Sequence, residues 1–107
     1  MEHKKELNMK LLMIILMALG LSSTVLAKGD AAKGKAKSAT CMACHGLKGI
    51  SAQAIYPNLA GQKEAYMVKQ LKDFKSGKRK DPLMSAMAKP LSDADMANVS
   101  AYYAKMK

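Results

Sequence analysis

Five consecutive residues carry the most specific chemistry in this chain: Cys41-Met42-Ala43-Cys44-His45. Two thiols three positions apart, followed at once by an imidazole, fit four kinds of chemistry. They can close a disulfide, exchange electrons as a dithiol, contribute to a zinc site, or attach a haem covalently. A thioredoxin-like dithiol sits near a strand–helix–strand pattern, and no strand pattern flanks the motif. A structural zinc site needs four ligands. The chain holds these two cysteines, His45 and one distant histidine, His3. A disulfide across two residues closes a very short loop and stabilises little. Cys-x-x-Cys-His is the pattern of c-type haem attachment. The thiols are spaced to add across the two vinyl groups of one haem, and the adjacent imidazole is placed to bind the iron. The expected cofactor is one haem c, covalent through Cys41 and Cys44, with His45 as the proximal ligand.

Attachment of this kind happens outside the bacterial cytoplasm, and the start of the chain agrees with export. Lys4, Lys5 and Lys10 make a basic start, Leu11 to Leu21 is an apolar run, and Val25 and Ala27 fit the small-residue pattern before a signal peptidase cut. Residues 1–27 therefore read as a signal peptide cleaved after Ala27, and residues 28–107 as one domain in the periplasm. Spanning a bilayer takes about 20 apolar residues, so the run is short for an anchor, and no stable membrane insertion is expected after cleavage. An uncleaved signal would instead hold a haem subunit in a larger membrane redox complex.

A mature domain of this size buries little apolar surface unaided and needs a staple. The whole chain has one Phe, four Tyr and no Trp, so a large apolar cofactor would fill a thin core. Charge is strongly basic: 18 Lys and Arg against 8 Asp and Glu. The leader takes three of the former and two of the latter, leaving a net charge of about +9. Such a field speeds encounter with acidic partners. No nucleic-acid motif or aromatic stacking platform accompanies it, so nucleic acid is not an expected partner.

The elements that must position the motif read as helices. Asp30 predicts an N-cap for a helix from Ala31 to about Cys41, rich in Ala and Lys. Gly46 to Gly61 reads as irregular, with Gly46, Gly49, Pro57 and Gly61 as breakers. Tyr66, Met67, Gln70, Leu71 and Phe74 recur at helical spacing between Gln62 and Lys75, and Gly77 closes that helix. Lys78 to Pro90 reads as irregular. Ser92 caps a last helix carrying Met96, Val99, Tyr102, Tyr103 and Met106, with Asp93 and Asp95 in its first turn. The expected fold is all-α, with three main helices and two long loops. Loops of that length are unusual in a compact domain unless they wrap something.

In this order the segments resemble a class I cytochrome c, in detail the small bacterial group that includes cytochromes c4, c5 and c553. Gly29-Asp30-Ala31-Ala32-Lys33-Gly34 is similar to that family's first-helix start. Tyr56-Pro57-Asn58-Leu59-Ala60-Gly61-Gln62 resembles its Pro-x-Leu-Ala-Gly-Gln segment. Tyr66 through Gln70 to Arg79 resembles its middle helix, and Leu91 to Met96 with Ala101-Tyr102-Tyr103-Ala104 its last. The likeness covers nearly all of residues 29–104. It implies helices and long loops wrapped around one haem, with the first and last helices crossing, and one-electron transfer rather than catalysis. It implies His/Met axial ligation, and the family's usual spacing before the capping Ser92 points to Met84 rather than Met87. It also implies that the Pro57 carbonyl accepts from His45 Nδ1 and that Arg79 pairs with a haem propionate. Met67, Met96 and Met106 are expected in the core, since Met is a common gap filler.

A thioether raises the reduction potential and fills the sixth site. The expected function is a soluble monohaem carrier in a bacterial respiratory chain, and the expected state is a monomer. Its expected partners are acidic surfaces on a quinol-oxidising complex and a terminal oxidase or reductase. The anchored haem subunit is one alternative. A ligand-binding haem protein is the other, and it lacks a second mature histidine for distal acid–base chemistry.

Overall fold

The computed structural model describes residues 1–20 and 28–107, with side chains described for 1–14 and 28–107. The expected cleavage point after Ala27 lies outside the described residues. Six helices and no strand occur among the described residues: α1 (Glu2–Gly20), α2 (Ala31–Lys37), α3 (Ala39–His45), α4 (Glu64–Ser76), α5 (Pro82–Ala88) and α6 (Asp93–Ala104). The all-α expectation holds. No helix described is long and apolar enough to cross a membrane.

Local chemistry explains where the helices start and stop. Asp30 caps α2, its Oδ1 accepting from the amides of Ala32 and Lys33 at 2.9 and 3.1 Å. Ser38 then interrupts the run, its hydroxyl donating to the Lys35 carbonyl at 2.9 Å. A serine hydroxyl that bonds nearby backbone competes with the helical ladder, so one predicted helix becomes two short ones in series. The second runs on through the cysteine motif to His45. Gly46 follows with φ +86°, a conformation L side chains rarely adopt, and ends it. Gly77, at φ +83°, closes α4.

The stretch from Lys78 to Pro90, expected to be irregular, contains α5. Pro82 occupies the first turn of that helix, where its missing N–H costs nothing. Asp81 is the cap, accepting from Leu83 and Met84 at 3.0 and 2.9 Å. At α6, Ser92 and Asp95 form a reciprocal capping box, each side chain bonding the other's amide at 3.0 Å. Such caps are each worth about 1 kcal/mol.

The first and last helices of the domain pack backbone to backbone. A Cβ on Gly34 would lie 1.9 Å from the Asn98 carbonyl oxygen, and one on Gly29 equally close to that of Ala97. Asn98 adds a tie across the crossing, its Oδ1 accepting from the Asp30 amide at 2.7 Å. Beyond the crossing, Met67, Val99 and Tyr103 form the buried cluster between α4 and α6, with Cys41, Leu59, Tyr102, Ala104 and Met106 packed against it.

Two expectations follow. Gly34→Ala forces the crossing apart and costs about 3 kcal/mol, the top of the overpacking range. Gly77→Ala meets no neighbour and costs about 1 kcal/mol for its left-handed backbone. Urea denaturation of the purified protein checks the order. The second concerns acid. The Ser92 amide, with Ser92 Oγ and Lys37 adding to it, holds the Asp95 carboxyl below the ordinary carboxylate value. Its contribution is present at neutral pH and is lost as pH falls through that range. Asp95→Asn should therefore be less stable at pH 7, and its melting temperature should fall less between pH 5 and pH 2.

Candidate haem-attachment site

Cys41, Cys44 and His45 share the last turns of α3, so the two thiols and the imidazole leave one short rod of backbone. Both cysteines are free thiols, each half-buried. Burial pushes the Cys41 thiol up, only partly offset by a hydrogen bond from Thr40. A dithiol built for exchange needs the opposite, a depressed thiol beside positive charge.

His45 is buried, with 7% of its surface exposed. Its Nδ1 lies 2.7 Å from the Pro57 carbonyl oxygen. A carbonyl can only accept, so Nδ1 carries the proton and Nε2 keeps its lone pair. That is the tautomer a metal-binding histidine needs, with ring orientation and basicity set by the second bond. Loop 46–61 is built to deliver Pro57. The Gly49 carbonyl accepts from the amides of Leu59 and Ala60 at 2.8 and 3.0 Å. Asn58 Oδ1 accepts from the Ser51 amide at 2.8 Å. At the loop's end, the Gly61 amide donates to the Tyr103 carbonyl of α6 at 3.0 Å.

Met84 lies in the first turn of α5 and is half-buried, whereas Met87, one turn on, is 48% exposed. Met67 and Met96 are core residues, with 7% and 1% exposure, and Met106 packs at the core's edge. Arg79 is occupied within its own neighbourhood. Its Nη1 donates to Gln70 Oε1 at 2.7 Å, and its guanidinium stacks 4.5 Å from the Phe74 ring centroid. Gln70 thus fixes the arginine's direction, a link that a separation of nine positions hides in the sequence. Asn98, Ser38 and Tyr103 also escaped sequence reading as site-supporting residues. Each looks like an ordinary helix residue until the crossing brings its partner near.

The pattern of the cytochrome c family matches residues 31–107, ending the full length of α6 and including the cysteine motif. The chain belongs to the cytochrome c family. It is 48% identical to a cytochrome c4 of Pseudomonas aeruginosa over 92% of this chain and 49% of that protein. It is 45% identical to cytochrome c-554(548) of Halomonas halodenitrificans over 74% of this chain and 99% of that one. The solved structure of reduced recombinant cytochrome c4 from Pseudomonas stutzeri superposes with a TM-score of 0.70 at 43% identity, covering 74% of this chain and 46% of that chain. This chain spans about half the length of the cytochrome c4 relatives it matches.

A cytochrome c domain implies a covalent haem c, and the residues present fit one. The donor set is two thiols and an imidazole with its Nε2 lone pair free. Large apolar side chains are left exposed on the two loop regions: Leu47, Ile50 and Ile55 after the motif, Leu83 and Met87 on α5. Large apolar side chains left exposed call for a covering surface. With one thiol removed, as in Cys41→Ser or Cys44→Ser, the haem should stay attached through the other. With both removed, acidified acetone should extract all of it, and the absorbance of the extracted phase measures this directly.

Proposed function

We propose that this chain is a soluble one-electron carrier of the bacterial periplasm, exported by residues 1–27 and acting in respiration between a quinol-oxidising complex and a terminal oxidase or reductase. The observation that carries the reading is His45, buried and held by Pro57 in the metal-binding tautomer beside two free thiols. Cys41 and Cys44 would hold the haem by thioethers, His45 and Met84 would be its axial ligands, and Arg79 would face a propionate. When bound, the haem supplies an iron that accepts and returns one electron.

The protein's part is to keep that exchange fast and unreactive. With His45 and Met84 both holding the iron, a substrate would find no open site, and His45 is the one histidine after residue 27. The apolar loops exclude water and the Pro57 bond fixes the imidazole, so little rearranges when charge changes. All 15 Lys and Arg side chains beyond residue 27 are exposed. Two ion pairs form among the described residues, Lys37 with Asp95 and Lys69 with Asp73. The basic surface is thus largely uncompensated, and it favours fast, weak docking on an acidic partner and keeps copies of the chain apart as monomers. The full-length match to the Halomonas cytochrome supports a free-standing carrier. The half-length match to cytochrome c4 favours a second reading, one haem domain of a larger redox assembly.

The test is an optical spectrum of protein made in a host that attaches haem. A sharp reduced alpha band is expected, with a weak far-red band in the oxidised form that disappears in Met84→Ala and survives in Met87→Ala. A high-spin spectrum that shifts with carbon monoxide would replace the carrier by a ligand-binding haem protein. Electron transfer to an acidic redox partner should slow severalfold as salt rises from 10 mM to 150 mM, because screening shortens the reach of the lysine field.

A further inference from the structure

The Pro57 carbonyl pins one atom of the His45 imidazole, Nδ1, at 2.7 Å. A single hydrogen bond is soft in angle: it is best above about 150° at the hydrogen and weakens steeply only below about 120°. The imidazole plane can therefore swing through roughly 30° without losing the bond. Holding it more closely takes a second contact, and a packed side chain is stiffer than a hydrogen bond because overlap energy rises so steeply at short range.

Tyr56 is placed to be that contact. It stands immediately before Pro57, and its ring centroid lies 6.4 Å from that of His45, with the two planes tilted by 59°. Aromatic rings favour tilted contacts with centroids about 4.5–7 Å apart. Among the described residues, no other aromatic ring pairs with His45. The loop also divides its two large neighbours. Ile55 is 77% exposed, whereas Tyr56 is half-buried beside a buried imidazole.

The backbone under Tyr56 is anchored. Its amide donates to the Gln53 carbonyl at 3.1 Å. The Ser51 hydroxyl donates to that same carbonyl at 2.8 Å and accepts from the Gln53 amide at 3.1 Å. Asn58, on the other side of Pro57, accepts from the Ser51 amide. The ring and the carbonyl that meet the imidazole thus come from adjacent residues of one cross-braced turn.

We propose that Tyr56 is a positioning residue for the proximal ligand: its ring narrows the range of imidazole orientations that the Pro57 bond leaves open. The proposal rests on His45 being the axial ligand of an attached haem. In an oxidised low-spin haem the direction of the imidazole plane sets how unpaired spin spreads over the macrocycle. A plane held in one direction in both oxidation states leaves less to rearrange when an electron arrives.

The experiment records proton NMR spectra of the oxidised, haem-loaded wild type, Tyr56→Phe, Tyr56→Leu and Tyr56→Ala. Tyr66→Leu, at an exposed tyrosine of α4, is the control. The haem-methyl resonances report the imidazole plane, because their shifts follow the spin distribution. Covalent haem and the far-red band are checked first; their absence from the wild type would end the functional reading itself before any variant is compared. Tyr56→Phe keeps the ring and should keep the wild-type order and spread of methyl shifts. Tyr56→Leu and Tyr56→Ala remove it, and the spread between the outermost methyls should shrink as orientations average. If one of these two does not hold haem, the other decides. Wild-type methyl shifts in the ringless variants would overturn the proposal. So would an equal change in Tyr66→Leu, or in Tyr56→Phe, which would assign the effect to the hydroxyl. Loss of haem from both ringless variants would overturn it as well, since Tyr56 would then serve attachment and not orientation.

Discussion

A 2.7 Å hydrogen bond from His45 Nδ1 to the Pro57 carbonyl joins the end of α3 to the far limb of loop 46–61. One proton placed there does three things. It settles the tautomer, so that Nε2 is the atom offered outward. It stops the ring rotating about its own axis. It also makes the loop part of the site, because the carbonyl's position depends on the loop's internal bonds. The Gly49 carbonyl holds Leu59 and Ala60, Asn58 holds Ser51, and Gly61 is tied to α6. Slackening at any of these would reach the imidazole through one rigid peptide.

The protein core makes sense only beside that arrangement. Few side chains are fully buried, and the cluster that exists is small, built on Met67, Val99 and Tyr103. Hydrophobic stabilisation scales with area removed from water, and a cluster this size supplies little of it. Two devices compensate. The backbones at Gly29, just before α2, and at Gly34 within it approach α6 more closely than any side chain would permit, which gains dispersion contacts where few large side chains are available. Helix ends are closed by Asp30, Asp81, Ser92 with Asp95, Gly46 and Gly77. A covalent apolar cofactor between the exposed loops would supply what remains, by both burial and cross-linking.

Charge serves a separate purpose. The lysines are exposed and scattered over helices and loops, so they contribute little to the fold, and exposed ion pairs of the Lys69–Asp73 kind add little to it. Their effect is long-range and acts on encounter, not on structure. Arg79 differs from them. Bonded to Gln70 and stacked on Phe74, it has lost most of the rotamer freedom that a solvent-facing arginine keeps, and a preorganised fork of donors suits planar carboxylate recognition.

What the sequence determined by itself is what depends on neighbours along the chain. The cysteine–histidine motif works through spacing of three residues and one, and needs no tertiary information to be read. Asp30, Ser92 and Gly77 act within a single helical turn, so their roles as caps were legible, as were the apolar stripes of α4 and α6. Within Lys78 to Pro90, read as irregular, the helix that Asp81 and Pro82 begin stayed hidden, because proline breaks a helix interior but begins a helix well, and the difference lies in where the chain turns. Ser38 splits a helix because its hydroxyl finds a carbonyl, which composition cannot show. Only the tertiary structure decided that Gly29 and Gly34 face the α6 backbone, that Asn98 bonds Asp30 from 68 residues away, that Gln70 directs Arg79, and that Tyr103 is sealed inside with its hydroxyl unmatched. Each of these is a contact between segments distant in sequence, created when two helices pack, and the energy that selects it exists only after they do.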